Sequence, residues 1–133
     1  MNKQPTKEQI QWFWEQCGWE YKRCNPHHFE DNPAAQERDM SWWHKDCSVG
    51  FRRIPGLDLN NLFKYAVQFL EYVDISWQPY LHSATVPVAS AFIRTMANKP
   101  NKNIVGGVEV RTGDSNPTLA LFWAIFKALG GKE

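Results

Sequence analysis

The stretch SNPTLALFWAIFKALGG, residues 115–131, decides the fold of this chain. Asp114, Ser115 or Asn116 supplies an N-cap and Pro117 sits at the first helical position, where its missing N–H costs nothing. At 100° per residue, Leu119, Leu121, Phe122, Trp123, Ile125, Phe126 and Leu129 spread over an arc of roughly 200°. The remaining narrow face carries Ala120, Ala124, Ala128 and one charge, Lys127. A helix laid on a sheet needs an apolar stripe of only about 100° or more. The surplus therefore calls for another helix, a loop or a second subunit.

Upstream of this helix, strand patterns follow one another without intervening helices. VDISWQPYLH (residues 73–82) alternates, with Val73, Ile75 and Trp77 on one side and Asp74, Ser76 and Gln78 on the other. VASAFIRTMA (88–97) and IVGGVEVRT (104–112) read as two more strands, with Gly106-Gly107 marking a bulge or a close approach. Pro79 and Pro87 call for edge positions or bulges. Before them, residues 58–72 (DLNNLFKYAVQFLEY) place Leu59, Leu62, Phe63, Ala66, Val67 and Leu70 on one face of an amphipathic helix. Consecutive strands imply antiparallel pairing, and the class is α+β: a mostly antiparallel sheet packed between helices, sandwich-like, in a single domain over residues 1–133.

The first third is less regular. Thr6-Lys7-Glu8-Gln9 forms a capping box and Gly18 suits a helix C′ position. Ile10, Phe13, Trp14 and Cys17 share the apolar face of that helix, and Trp12 falls on the polar side as a contact candidate. Residues 19–24 alternate as a strand, and residues 25–39 carry turn signals over a long loop. SWWHK (41–45) and SVGFRRI (48–54) suggest a hairpin around Asp46–Cys47.

Composition bounds function mainly by exclusion. The 133 residues are 43% hydrophobic and 22% charged, ordinary globular values. Seven tryptophans within 14% aromatics are an excess that needs a core, an interface or a stacking pocket. The formal charge of +1 provides no field for nucleic acid, so no such partner is expected. No run approaches the ~18 apolar residues of a membrane span, and the polar start lacks a secretory h-region. With three cysteines, an odd number, the expectation is reduced thiols in a cytoplasm.

Two motifs, LDLNNLFKYAV (57–67) and NPTLALFWAIFKAL (116–129), resemble the small phage and prophage proteins grouped as the phage ABA sandwich domain. The likeness covers about residues 57–130, and FWEQCGW (13–19) echoes it weakly. It implies a helix–sheet–helix sandwich in a phage or prophage protein. It implies no activity and supplies no catalytic residues.

Chemistry-bearing residues are sparse. Cys17, Cys24, His44 and Cys47, with His27 and His28 nearby, could compose a Cys3His zinc site. Six residues separate the first cysteine pair, however, where structural zinc favours two to four, and no metal or other cofactor is expected. His44 and Cys47 lack a third, orienting group, and HKD (44–46) reads as a hairpin turn, so no catalysis is expected from them. No phosphate-binding or hydrolase motif occurs. Aromatic and basic residues do interleave: Trp43, Arg53, Trp77, Arg94 and Arg111 could meet on a sheet surface, stack a base and hold a phosphate. The helix start at 112–116 could add N–H groups, against Asp114. The expectation is a non-catalytic, phage-encoded binding protein for a small anionic, nucleotide-like ligand of host defence. The alternatives are a protein–protein adaptor or inhibitor and a small metal-dependent hydrolase. A homodimer is expected through Trp12, Leu121, Trp123 and Ile125, because one patch can serve both subunits.

Overall fold

The computed structural model describes residues 4–23, 40–44, 51, 53–78, 89–97 and 106–132. In chain order these form α1 (Lys7–Gln16), β1 (Trp19–Arg23), β2 (Met40–His44), α2 (Leu59–Tyr65), a 3-10 turn (Val67–Phe69), β3 (Leu70–Trp77), β4 (Ala89–Thr95), β5 (Glu109–Asp114) and α3 (Pro117–Ala128). The class is α+β, with antiparallel strands and helices packed against sheet. The strands divide into two sheets, β1-β2 and β3-β4-β5. An antiparallel bridge between Trp42 and Phe51 extends the smaller one, as the expected hairpin requires. Residues 45–50 of that hairpin, the 25–39 loop, Pro79 and Pro87 lie outside the described residues.

Helix ends follow the local chemistry. Thr6 and Gln9 make the reciprocal capping box, and Gly18 leaves α1 at φ 104°. Asn116 caps α3, its Oδ1 accepting the Leu119 N–H at 2.8 Å, with Pro117 following. The far end of α3 is a Schellman motif. The Gly131 N–H donates to the Phe126 carbonyl (2.9 Å) and the Gly130 N–H to that of Lys127 (3.0 Å), with Gly130 at φ 89°.

The middle helix is shorter than its apolar pattern implies. It ends at Tyr65, and residues 66–69 tighten into the 3-10 turn that leads into β3. Of the expected face, Leu62, Ala66 and Leu70 are buried, Tyr65 and Phe69 join them, and Phe63 is 49% exposed. Tyr65, Val67, Phe69, Tyr72, Val73 and Ile75 are strand-favouring residues, and pairing with β4 pulls the chain out of helix from Leu70 onward. In β3, Val73 and Ile75 do share one side and Asp74 and Ser76 the other. Gly106 and Gly107 form the turn before β5, with Gly107 at φ 72°.

α3 is the central layer. On one side it crosses β4 and β5. The buried positions of β4 are Ala89, Ala91, Ile93 and Thr95, mostly small, which lets a helix approach closely. Thr112 of β5 donates its hydroxyl to the Ala120 carbonyl, so the alanine face of α3 lies beside the sheet. On the other side the Phe122 ring meets Phe13 at 4.7 Å and the Phe126 ring meets Trp12 at 5.1 Å. From Leu119 to Leu129 only Lys127 is exposed. The surplus apolar surface is therefore taken up within the chain. Leu121 and Ile125 have no exposed surface and Trp123 has 4%, so these three offer no face to a second subunit. Trp12, expected among polar residues, is half-buried against Phe126.

Above α1, an aromatic layer joins the small sheet to α2. Tyr65 packs nearly perpendicular to Trp14 (6.2 Å) and Trp19 (5.0 Å), with His44 5.0 Å away. The indole N–H groups of Trp14 and Trp19 are buried without a hydrogen-bond acceptor among the described residues.

Candidate functional site

The five residues expected to share a ligand do not converge. Trp43 belongs to β2, opposite Glu20, in the other sheet from both strand arginines. Arg53 is exposed in the connection before α2. Trp77 pairs with Ala89 on the α3 side of the three-stranded sheet, whereas Arg94 and Arg111 stand on the opposite side. Arg94 is committed: its Nε and Nη2 both lie 3.1 Å from Glu109 Oε1. Arg111 stacks over Phe92 at 5.0 Å, with Asp74 on the other flank of the same ring. Two guanidinium groups and two carboxylates on a flat surface form no anion pocket. The start of α3 is closed to anions as well. Asp114 Oδ1 already accepts from the Ser115 N–H (2.6 Å) and hydroxyl (3.0 Å), and Asn116 takes the Leu119 N–H.

The cysteine–histidine cluster is also changed by the geometry. Cys17 is fully buried, and desolvation pushes its thiol from the usual 9.0 up to about 12. A metal ligand or nucleophile needs the opposite shift, because the thiolate is the active form. His44 donates from Nε2 to the Cys17 carbonyl at 3.1 Å and packs on Trp19 and Tyr65, which makes it part of the fold. Among the described residues, no three His, Cys, Asp or Glu side chains gather as a metal group. Cys24, His27, His28 and Cys47 lie outside them.

Among the described residues, a concave feature lies at the other end of α3. A half-open cavity of about 480 Å³ is lined by Glu8, Gln9, Trp12, Phe126, Gly130, Gly131 and Lys132. Its construction is local. The Schellman turn reverses the chain, and Gly131 passes so close over the Phe126 ring that a Cβ there would collide with it. The reversed chain meets the first turn of α1, where Gln9 Nε2 reaches the Lys132 carbonyl at 3.5 Å. Trp12 and Phe126, inclined at 68°, form the aromatic floor. Glu8 and Lys132 place one charge of each sign on the rim. Among the described residues, no hydroxyl, thiol or imidazole lines it. The cavity can take a flat ring against the indole and a polar group at either charged side chain.

No family model, curated protein or solved structure matches this chain. The cavity's own residues thus carry the functional argument. Sequence reading marked Trp12 as a contact residue, but missed Phe126, Gly130, Gly131 and Lys132. The signal was present as a Gly-Gly pair directly after a helix, which serves both to end α3 and to fold the chain back over it.

Proposed function

We propose that this chain is a non-catalytic binding protein, of phage or prophage origin, that captures a small nucleotide-like anion in the Trp12 cavity. The carrying observation is a concave site with an aromatic floor and the Lys132 ammonium at its rim. The base lies on the exposed part of the Trp12 indole, and Lys132 meets the phosphate. Glu8 accepts from a hydroxyl or exocyclic amine and disfavours a second phosphate at its side of the mouth. The resemblance of residues 57–130 to a phage family supports the origin. In the cytoplasm of an infected host, such capture withdraws a nucleotide signal from defence.

Melting curves with a panel of nucleoside mono-, di- and cyclic phosphates test this reading. A ligand at a hundredfold its Kd adds about 2.7 kcal/mol of stability, a shift of several degrees. Trp12→Ala and Lys132→Glu should each abolish the shift. A panel that leaves the melting temperature unmoved refutes nucleotide capture.

A further inference from the structure

The outward face of the β3-β4-β5 sheet is a second feature, independent of the cavity. Strand register arranges it in rows: Tyr72–Arg94–Glu109, Asp74–Phe92–Arg111 and Ser76–Ser90–Gly113. Tyr72, Asp74, Ser76, Glu109, Arg111 and Gly113 are exposed, and Phe92 is half-buried at the centre. Tyr72 meets Phe92 at 5.9 Å, edge to face. The ion pair of Arg94 and Glu109 neutralises one row internally. In the central row, neither Asp74 nor Arg111 has an ion-pair partner among the described residues. They stand on the outer strands with Phe92 between them, their backbones about 10 Å apart.

We infer that this face packs against the same face of a second copy of the chain, about a twofold axis running along β4. Such an axis lays β3 of one copy over β5 of the other. Asp74 then faces the second copy's Arg111, and the same contact recurs on the far side of the axis. Phe92 meets its own equivalent at the centre, and Tyr72 lies opposite a Glu109 carboxylate able to accept a hydrogen bond from its hydroxyl. An axis across the strands would instead set Asp74 against Asp74 and Arg111 against Arg111. Electrostatics therefore selects both the partner and the orientation. Aligned packing of twisted sheets, at about 30°, also separates the two Arg94 side chains, each of which arrives with its own Glu109.

The area sets the strength. Three strands by five residues make a face of roughly 14 by 16 Å, well below the ~800 Å² per partner of a standard interface. The dimer is consequently weak and salt-sensitive, with assembly in the upper micromolar range.

Sedimentation velocity from micromolar to millimolar protein, with a melting curve for each variant, tests this assignment. Asp74→Arg and Arg111→Asp should each weaken the dimer by about tenfold or more. The double reversal restores opposite charges across the axis and should return the Kd to within about threefold of the unmodified value. Trp12→Ala should leave assembly unchanged, because the cavity lies on the other side of α3. A monomer throughout the concentration range overturns the inference. So does a dimer indifferent to either reversal, or a double variant no better than the singles.

Discussion

Trp12 and Phe126 meet edge to face, with ring centroids 5.1 Å apart and planes inclined at 68°. This contact joins α1 to the end of α3 and also floors the cavity. Trp12→Ala should cost about 2 kcal/mol, less than for a fully buried tryptophan because the indole is only half-buried. Urea titration measures it. A loss below about 0.5 kcal/mol would show that the contact does not stabilise the helix pair.

Gly130 and Gly131 should respond differently to alanine. At Gly130 the penalty is backbone strain at φ 89°, about 1 kcal/mol, with open space for the methyl group. At Gly131 the methyl group runs into Phe126, so the ring must shift and the cavity must change shape, at about 1–3 kcal/mol. Gly130→Ala should keep ligand affinity, and Gly131→Ala should lose it. Calorimetric titration of both variants checks the contrast.

The pH dependence follows from Cys17. Its folded-state value is raised, so the native thiol keeps its proton after the unfolded one has ionised. Its contribution is fully present below about pH 9 and is lost as pH rises toward 12. Three pKa units correspond to roughly 4 kcal/mol at the upper end. Cys17→Ala should flatten the alkaline limb of a stability–pH curve, and the unmodified thiol should resist alkylation at pH 8 until denaturant is added.

Asn116 caps the helix on which both halves of the core depend. Asn116→Ala removes the acceptor for the Leu119 N–H and should cost about 1 kcal/mol. Asn116→Asp should retain most of that stability, which thermal denaturation of the pair can measure.

Local rules read the caps and strands well. The Thr6–Gln9 box, Asn116, Pro117 and the alternation of β3 all depend on neighbours a few residues apart. The over-wide face of α3 was equally legible, and helix 1 of the same chain was among the elements able to cover it. What covers it was not readable, because Phe13 and Phe122 are brought together only by the finished fold. The 58–72 segment failed for a related reason: its apolar residues fit a helix, but β4 competes for the second half. Candidate sites were least legible. Trp43, Arg53, Trp77, Arg94 and Arg111 were grouped by residue type, whereas register decides which side of which sheet each occupies. Lys132 carries no pattern of its own and acquires a role only through the turn at Gly130.

The central position of α3 also has a temporal consequence. Every other described element precedes it in the chain, so a ribosome delivers the three-stranded sheet and the aromatic layer before the helix that both require. Neither side can bury its inner surface until residues 117–129 emerge, and consolidation is then concerted rather than sequential. Until that segment is made, Ala91 and Ile93 of β4 have no helix to cover them.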